Sequence, residues 1–424
     1  MSRGTGVSDT KVLNRWVIVA AGIVIQLCLG TLYAFSVFRN PLIEQFGWTI
    51  TETSLAFTIC LVFFTITMVF AGFWQDKVGP RLVGSVGGIL LGLGCLLASQ
   101  TNSLMTLYLA YGVIAGSGVG FAYVTPIATI VKWFPDKRGL MTGVAVFGFG
   151  AGSLVFAPLA ARLIANYGVL NAFAILGVVF LIAVTGSAQL LRNPPEGWRP
   201  PAWDSPEPNL KVTFRKYEDY SPGEMLQTMR FWIVWAMYLI GAAAGLMIIS
   251  QAGPMAEEMA GLTQAAAAAA VGILAVFNGL GRIFWGAMSD RIGRNLSLML
   301  MFAVYAVDLF LVLPRATSYM WYVFGICTAA LSFGGYLALM PAITADYFGT
   351  KNYGINYGWM FTAYGAAAVF GPVLIAQIKE VSGGYTQALY IFAVLSLIGI
   401  VLTYLNKLVG NRQPPGRLTV DPSS

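Results

Sequence analysis

A single arginine, Arg282, lies in an apolar stretch of sequence that is long enough to cross a membrane. Guanidinium groups stay charged and bind carboxylates through two parallel hydrogen bonds. Asn278, four residues earlier, falls on the same face of a helix and adds an amide that hydrogen-bonds a carboxylate or a hydroxyl. Ionisable residues within a membrane span usually face the protein interior or a water-filled cavity. The pair therefore predicts a binding site for a small anion.

A structural role is the alternative for both residues, because Arg282 would also suit a buried ion pair and Asn278 a hydrogen bond between helices. Asp308 is the obvious ion-pair partner. Arg282 lies roughly 12 Å along its helix from Asp290, which ends the apolar run, whereas Asp308 lies roughly 20 Å in from the same face. These depths disfavour a direct pair, and they place Arg282 near the middle of the membrane.

Three aromatic residues, Tyr357, Phe361 and Tyr364, recur at spacings of three and four and so share one face of a helix. Packing is the ordinary explanation for any one of them. Together they indicate a small, partly apolar chamber that contains hydroxyl groups.

One short turn occurs twice in the chain, at the end of two apolar runs. Residues 72–81 read GFWQDKVGPR and residues 286–294 read GAMSDRIGR. Asp76 corresponds to Asp290 at an offset of 214 residues, which is about half of the 424-residue chain. The chain is therefore expected to consist of two copies of one structural unit.

The composition indicates a membrane protein, since 57% of the residues are hydrophobic and only 10% are charged, against about 25% charged in soluble proteins. The net charge of +7 is not arranged as a basic patch interleaved with aromatics, so we expect no nucleic-acid partner. The absence of histidine excludes a histidine proton relay and a histidine metal site. The four cysteines lie in apolar runs without disulfide or metal spacing. We expect no metal and no cofactor.

Twelve apolar runs are each long enough to span a bilayer, which takes roughly 20 residues. They cover residues 16–38, 51–74, 81–99, 104–132, 139–164, 168–191, 230–256, 264–288, 295–314, 318–346, 352–378 and 384–407. The long polar segment 192–229 predicts a linker between an N-terminal six-helix bundle (1–191) and a C-terminal one (230–408), followed by a tail (409–424). The fold class is an all-α integral membrane protein of twelve transmembrane helices.

The basic residues predict the orientation, because loops on the cytoplasmic side carry an excess of Lys and Arg. Of the 25 basic residues, Arg39, Arg162, Arg315 and Lys379 fall in outer loops and Arg282 lies in the membrane. The other 20 lie on the side of the N-terminus. Both termini and the linker are therefore expected in the cytoplasm. The twelve spans are expected to contact the lipid bilayer.

The doubled Gly-x-x-x-Asp-basic-x-Gly turn, on parallel half-repeats of six spans, resembles the major facilitator superfamily over essentially the whole chain. The resemblance implies that these turns clamp the cytoplasmic side, with Asp76, Arg81, Asp290 and Arg294 as gating residues. It also places Tyr33 in span one and Tyr123 in span four on helices that line the central cavity.

Four segments are similar to the branch of oxalate/formate antiporters and monocarboxylate transporters: YAF (33–35), NPPEGW (193–198), SPGEMLQTMRFW (221–232) and NGLGRIFWGAMSDRIGR (278–294). This resemblance implies a bacterial, lactate-type transporter in which the span-eight arginine, here Arg282, holds the substrate carboxylate. The substrate-binding residues are then expected to be Arg282, Asn278, Tyr33, Tyr123, Phe361 and Tyr364.

The chain departs from this branch at three positions. Asn278 replaces an aspartate of the animal members, Val37 replaces their lysine, and Tyr364 stands where the oxalate antiporter has a second lysine. One cavity cation neutralises one carboxylate, so the chain favours a monoanion over oxalate. With the usual proton-coupling pair absent, the proton is expected to use another carboxylate, Asp308, Glu257 or Glu258, or to travel with the substrate.

The predicted function is alternating-access transport of small monocarboxylates, such as L-lactate and pyruvate, with proton symport. Carboxylate exchange, such as oxalate for formate, is the first alternative. A non-transporting carboxylate sensor is the second, and the short linker and tail leave little room for a signalling domain. We do not expect an enzyme, since no pairing of a nucleophile with a base is visible. The protein is expected to be a monomer in the bacterial inner membrane.

Overall fold

A computed structural model describes residues 14–195, 198, 200 and 219–412. All regular secondary structure in these residues is helical. Twelve helices are long and apolar enough to cross a membrane. In chain order they are α1 (Arg15–Phe46), α2 (Ile50–Val78), α3 (Pro80–Ala98), α4 (Leu104–Trp133), α5 (Arg138–Tyr167), α6 (Val169–Ala188), α7 (Met229–Ala260), α8 (Gln264–Ile292), α9 (Arg294–Arg315), α10 (Tyr319–Phe348), α11 (Tyr353–Ser382) and α12 (Thr386–Arg412).

The predicted all-α fold with twelve spans is confirmed, and most helix ends fall close to the expected positions. Helix α1 extends furthest beyond its prediction, because a 3₁₀ segment, Gly30–Ala34, tightens it without ending it. Helix α9 contains a π-helical segment, Asp308–Val312. The N-terminal tail, most of the C-terminal tail and the middle of the predicted linker lie outside the described residues.

Short polar residues and glycines set the helix ends. Thr49 and Glu52 form a reciprocal capping box at the start of α2, and Ser103 accepts a backbone N–H at the start of α4. Gly79 and Gly293 adopt positive φ angles of 87° and 90° between α2 and α3 and between α8 and α9. Glycine reaches this conformation without a Cβ clash, so each repeated turn needs its glycine.

Helices α1–α6 pack into one bundle and α7–α12 into a second. The two bundles meet mainly where α2 packs against α11 and α5 packs against α8 and α10. Large apolar side chains such as Phe70, Ile182 and Val401 are exposed on the outer faces of the helices. Such faces are suited to lipid, because the bilayer is as apolar as they are.

The described ends of the linker are attached to the bundles. Trp133, at the end of α4, donates its indole N–H to the carbonyl of Arg192 at 2.6 Å and lies against Trp198. Asp219 accepts hydrogen bonds from the backbone N–H groups of Thr350 and Lys351, at 2.9 and 3.0 Å. We call the end of the molecule that holds these contacts the linker side.

Asp76 joins the two bundles on the linker side. Its carboxylate accepts hydrogen bonds from the first N–H groups of α11, those of Gly354 at 3.1 Å and Ile355 at 3.0 Å. Lys132 lies 3.9 Å from the same carboxylate. A carboxylate at a helix N-terminus satisfies unpaired N–H groups and complements the helix dipole.

Asp290 makes the equivalent contact in the other direction, from α8 to the start of α5. It accepts hydrogen bonds from the N–H groups of Gly139 at 2.9 Å and Leu140 at 2.8 Å. Arg294 binds Asp290 at 2.7 Å and also Asp346, at the end of α10, at 2.9 Å. The two aspartates therefore clamp the linker side shut, each by capping a helix of the opposite bundle.

Asp346 adds a third link between the bundles, because Arg138 of α5 binds it at 2.8 Å. Arg81 does not take part: its side chain is exposed and forms no ion pair with a described residue. The position that Arg81 was expected to fill in the N-terminal clamp is taken by Lys132, which reaches Asp76 from α4.

Replacing Asp290 by alanine should open the linker side. The variant loses the two charge-assisted hydrogen bonds from Asp290 to the start of α5, and the loss of even one, at about 1.5 kcal/mol, shifts the equilibrium roughly tenfold. Spin labels on the exposed positions Lys137→Cys and Arg291→Cys should report a longer distance between α5 and α8. The native cysteines are buried, so they should not compete for the label.

Arg81→Gln is the matched control for this experiment, because Arg81 is charged and close in sequence to the clamp but outside it. Its distance distribution should equal that of the parent protein. An equal shift in Arg81→Gln and Asp290→Ala would contradict the assignment of the clamp.

Candidate functional site

Arg282 is fully buried between the two bundles, about 15 Å from the linker-side end of α8. Its Nη1 donates to the carbonyl oxygen of Val146 in α5. Its Nε and Nη2 both point to the side-chain oxygen of Asn278, at the long distance of 3.4 Å. No carboxylate among the described residues forms an ion pair with Arg282. A buried cation is therefore held by neutral oxygens alone.

Space for the guanidinium comes from a glycine in the neighbouring helix. A Cβ at Gly150 of α5 would lie 3.0 Å from Cζ of Arg282, 3.1 Å from Nε and 3.2 Å from Nη2. These distances are shorter than normal contacts, so any larger residue at this position would displace the guanidinium. Gly150 therefore makes room for the Arg282 guanidinium, in addition to any role in packing the helices together.

Tyr33 and Tyr364 connect the bundles above this arginine. Their hydroxyls form a hydrogen bond of 2.7 Å between α1 and α11. The Tyr33 hydroxyl is also within side-chain hydrogen-bonding reach of Arg282. The 3₁₀ segment in α1 contains Tyr33 and sets the direction of its side chain. The cation, two hydroxyls and the Asn278 amide thus lie together.

Aromatic rings enclose this polar group. Phe361 stacks on Tyr364 at 4.8 Å between ring centroids and contacts Tyr123 at 5.2 Å. Phe149 packs edge-on against both Tyr33 and Tyr123, at 5.1 and 5.2 Å. Such a shell excludes water and strengthens electrostatic interactions inside it.

All six residues expected to bind substrate, Arg282, Asn278, Tyr33, Tyr123, Phe361 and Tyr364, are thus brought into one cluster. The face of α11 inferred from the aromatic spacing is the one that points to Arg282. The cluster also contains Phe64, Phe149 and Tyr238, which the sequence did not single out. Each is an aromatic residue in an apolar span. Such residues are common in packed cores, so their sequence positions alone do not indicate a binding site. Gly150 was visible only as one of several glycines in its span.

The two acidic candidates lie elsewhere. Asp308 is buried inside the C-terminal bundle, does not contact Arg282, and has no hydrogen-bond partner for either carboxylate oxygen among the described residues. The lack of contact is consistent with the different membrane depths predicted for Arg282 and Asp308. Glu257 is exposed near the end of α7, beside Glu258, which pairs with Lys379.

The chemistry of the cluster is that of an anion site. One permanent cation without a counter-ion attracts one negative charge, because an unpaired charge in a protein interior is costly. Donors at Asn278, Tyr33 and Tyr364 can hydrogen-bond further oxygens of the same molecule. The enclosing rings limit its size and favour a partly apolar body.

Comparison with known proteins agrees with this geometry. Residues 19–314 and 247–422 match the Major Facilitator Superfamily. The oxalate:formate antiporter of Oxalobacter formigenes is 31% identical over 94% of this chain and 93% of its own length. The Toxoplasma gondii apicoplast pyruvate carrier 1 is 26% identical over 75% of this chain and 68% of its own. Human monocarboxylate transporter 12 is 23% identical, over 93% and 80%.

The fold is that of FucP, a Major Facilitator Superfamily transporter solved in the outward conformation, with a TM-score of 0.70 and 14% identity. The likeness covers 92% of this chain and 98% of that chain. The resemblance to the branch of oxalate/formate antiporters and monocarboxylate transporters is confirmed. The fold and the relatives are those of transporters, not enzymes. This multi-pass membrane protein belongs to the Major Facilitator Superfamily of secondary transporters.

Proposed function

We propose that this protein is an alternating-access carrier of small monocarboxylates, with L-lactate and pyruvate as the expected substrates and a proton as the co-transported ion. One observation carries the proposal: Arg282 is a fully buried cation with no ion-pair partner among the described residues. Its present contacts with Asn278 are long, so a substrate carboxylate can replace them with shorter, charge-assisted hydrogen bonds.

The charge balance of the site supports a monoanion. Tyr364 faces the pocket with a neutral hydroxyl, and its neighbours Tyr33, Tyr123 and Phe361 are also uncharged. A second carboxylate would lie against these groups without a cation, at a cost of several kcal/mol. A 2-hydroxy or 2-oxo oxygen, by contrast, finds hydroxyl and amide partners.

The clamp on the linker side supports alternating access. With Asp76 and Asp290 bound to the opposite bundle, this side is closed, and the substrate enters from the other side. Opening then requires both aspartates to release their helix N-termini. The excess of basic residues in the linker-side loops supports a cytoplasmic linker side, with the protein in the bacterial inner membrane.

The second candidate function is carboxylate exchange, which is favoured by the 31% identity to an oxalate:formate antiporter over almost the full length of both chains. Proteoliposomes distinguish the two. An exchanger takes up labelled acid only when the lumen contains an anion to leave, whatever the pH gradient. A symporter accumulates labelled acid into an anion-free lumen when the outside is acidic.

The first test compares the parent protein with Arg282→Met, which removes the charge and keeps most of the volume. Acid-driven uptake of labelled L-lactate should fall to background, because each lost charged hydrogen bond is worth about 1.5–3 kcal/mol, or roughly ten- to hundredfold in affinity. Without substrate, the variant should melt at the same or a higher temperature, because an uncompensated buried charge has been removed.

Arg315→Met provides the control, since Arg315 is exposed at the end of α9. It should transport like the parent protein. Normal lactate uptake in Arg282→Met would refute the proposed site.

A second test uses Gly150→Ala, which places a methyl group against the guanidinium of Arg282. Overpacking of this kind costs about 1–3 kcal/mol, so the apparent affinity for lactate should fall roughly 5- to 100-fold. Gly186→Ala is the matched control, because a Cβ at Gly186 meets no atom within 4 Å. Equal uptake by the two alanine variants would contradict the claim that a methyl group at position 150 displaces the guanidinium of Arg282.

A third test changes the charge of the pocket with Tyr364→Lys. A second cation should raise the preference for oxalate over lactate about ten- to hundredfold, as expected for one charged hydrogen bond. Tyr364→Phe removes the hydroxyl without adding charge and should not favour oxalate. Competition of each acid against labelled lactate measures the ratio, and an unchanged ratio in Tyr364→Lys would contradict the charge-balance argument.

A further inference from the structure

Asp308 is the most unusual polar residue of the C-terminal bundle. It is 1% exposed, and neither carboxylate oxygen has a hydrogen-bond partner among the described residues. It begins the π-helical segment Asp308–Val312 of α9. The far end of α9 at Arg315 is about 10 Å away, so the carboxyl lies on the side of the membrane opposite the clamp. Buried carboxylates are normally paired or hydrogen-bonded.

The groups that face Asp308 are all neutral. Tyr305 comes from its own helix, one turn earlier, and interacts with it electrostatically. Helix α10 places Gly325 beside the Asp308 carboxyl, and a Cβ added at this glycine would lie 3.2 Å from a carboxyl oxygen. Helix α12 packs on the π-helical segment through Tyr390, which lies against Phe310. No lysine or arginine of the described residues forms an ion pair with Asp308.

Unpaired tyrosine hydroxyls continue from Asp308 toward the substrate pocket. The ring of Tyr336 in α10 stacks on Tyr305 at 5.8 Å between centroids, and both hydroxyls are buried without a hydrogen-bond partner among the described residues. The Tyr336 ring packs onto Gly241 of α7. One turn earlier on α7, Tyr238 also has a buried, unpaired hydroxyl, and its ring lies 6.5 Å from that of Tyr364.

The series ends at the substrate pocket, because Tyr364 hydrogen-bonds Tyr33, which reaches Arg282. Tyrosine hydroxyls both donate and accept, and buried water commonly bridges unsatisfied polar groups. The hydroxyls of Tyr305, Tyr336 and Tyr238 do not hydrogen-bond one another, so passage of a proton along the series requires bridging water but no charged side chain. The chain contains no histidine that could serve instead.

We infer that Asp308 is the proton-binding group of this carrier, and that the hydroxyls of Tyr305, Tyr336 and Tyr238 connect it with the Arg282 pocket. The inference rests on the proposed function and supplies its coupling site. A proton from the solvent forms the O–H bond of the Asp308 carboxylic acid. That bond breaks when the proton moves along the hydroxyls to the pocket, and the proton leaves with the substrate anion. No electrons are transferred. The proton and the monocarboxylate anion cross the membrane together, with no net charge.

The test separates proton coupling from substrate binding in Asp308→Asn, which is isosteric with the neutral acid and should fold normally. Proteoliposomes are loaded with L-lactate for counterflow or left empty for acid-driven uptake. One pH unit should drive about tenfold accumulation in the parent protein. Asp308→Asn should keep lactate counterflow within about twofold and lose accumulation, so that internal lactate only equals external lactate.

Tyr305→Phe and Tyr336→Phe extend the test along the series. Each should slow acid-driven uptake while leaving counterflow and lactate affinity unchanged. Tyr390→Phe is the matched control, because it contacts the same segment from the lipid-facing side and is no part of the series. It should behave like the parent protein in both assays.

Three results would overturn the inference: full accumulation in Asp308→Asn, equal loss of counterflow and accumulation in a folded variant, or accumulation driven by a sodium gradient. An independent readout is the infrared carbonyl band of a protonated carboxylic acid, which should be present in the parent protein without substrate and absent in Asp308→Asn. If no carboxylate is transported at all, the proposed function fails, and this band still decides whether Asp308 holds a proton.

Discussion

The desolvation of one guanidinium determines much of this structure. Removing Arg282 from water has a cost of several kcal/mol, and no carboxylate among the described residues pairs with it. Among the described residues, neutral oxygens of Val146 and Asn278 accept its hydrogen bonds. The surrounding features then have a common explanation. Gly150 leaves room for the group, the aromatic shell keeps water away, and the proposed monoanion would supply the missing counter-charge.

The candidate site and the linker-side contacts of Asp290 share two helices. Helix α8 carries both Arg282 and Asp290, and α5 carries both Val146 and the N–H of Gly139 that Asp290 binds. A relative movement of α5 and α8 therefore changes the contacts of the arginine and of the clamp together. Rigid helices that carry two contacts with two arrangements are the physical basis of such coupling.

Features that depend on local sequence patterns, or on single residues that are unusual in their surroundings, could be predicted from the sequence. Runs of apolar residues located the twelve spans, and one charge in an apolar helix indicated the candidate site. The internal repeat related Asp76 to Asp290. The resemblance implied a gating role for Arg81, but the cation that reaches Asp76 is Lys132, which arrives from another helix. The partners of Asp346, Arg138 and Arg294, lie on two other helices, and no spacing reveals them. Phe149, Tyr238 and Gly150 join the site only through the packing of the two bundles.

The two halves are equivalent in shape but not in charge. At the offset of 214 residues, Lys132 corresponds to Asp346 and Arg138 corresponds to Asn352. Lys132 supports Asp76, whereas Asp346 bridges Arg138 and Arg294. Placed against a second copy of itself, the C-terminal half would set Asn352 opposite Asp346, where Arg138 now lies, and the N-terminal half would set Lys132 opposite Arg138, where Asp346 now lies. The two halves therefore contribute different charged groups to the linker-side contacts and are not interchangeable there.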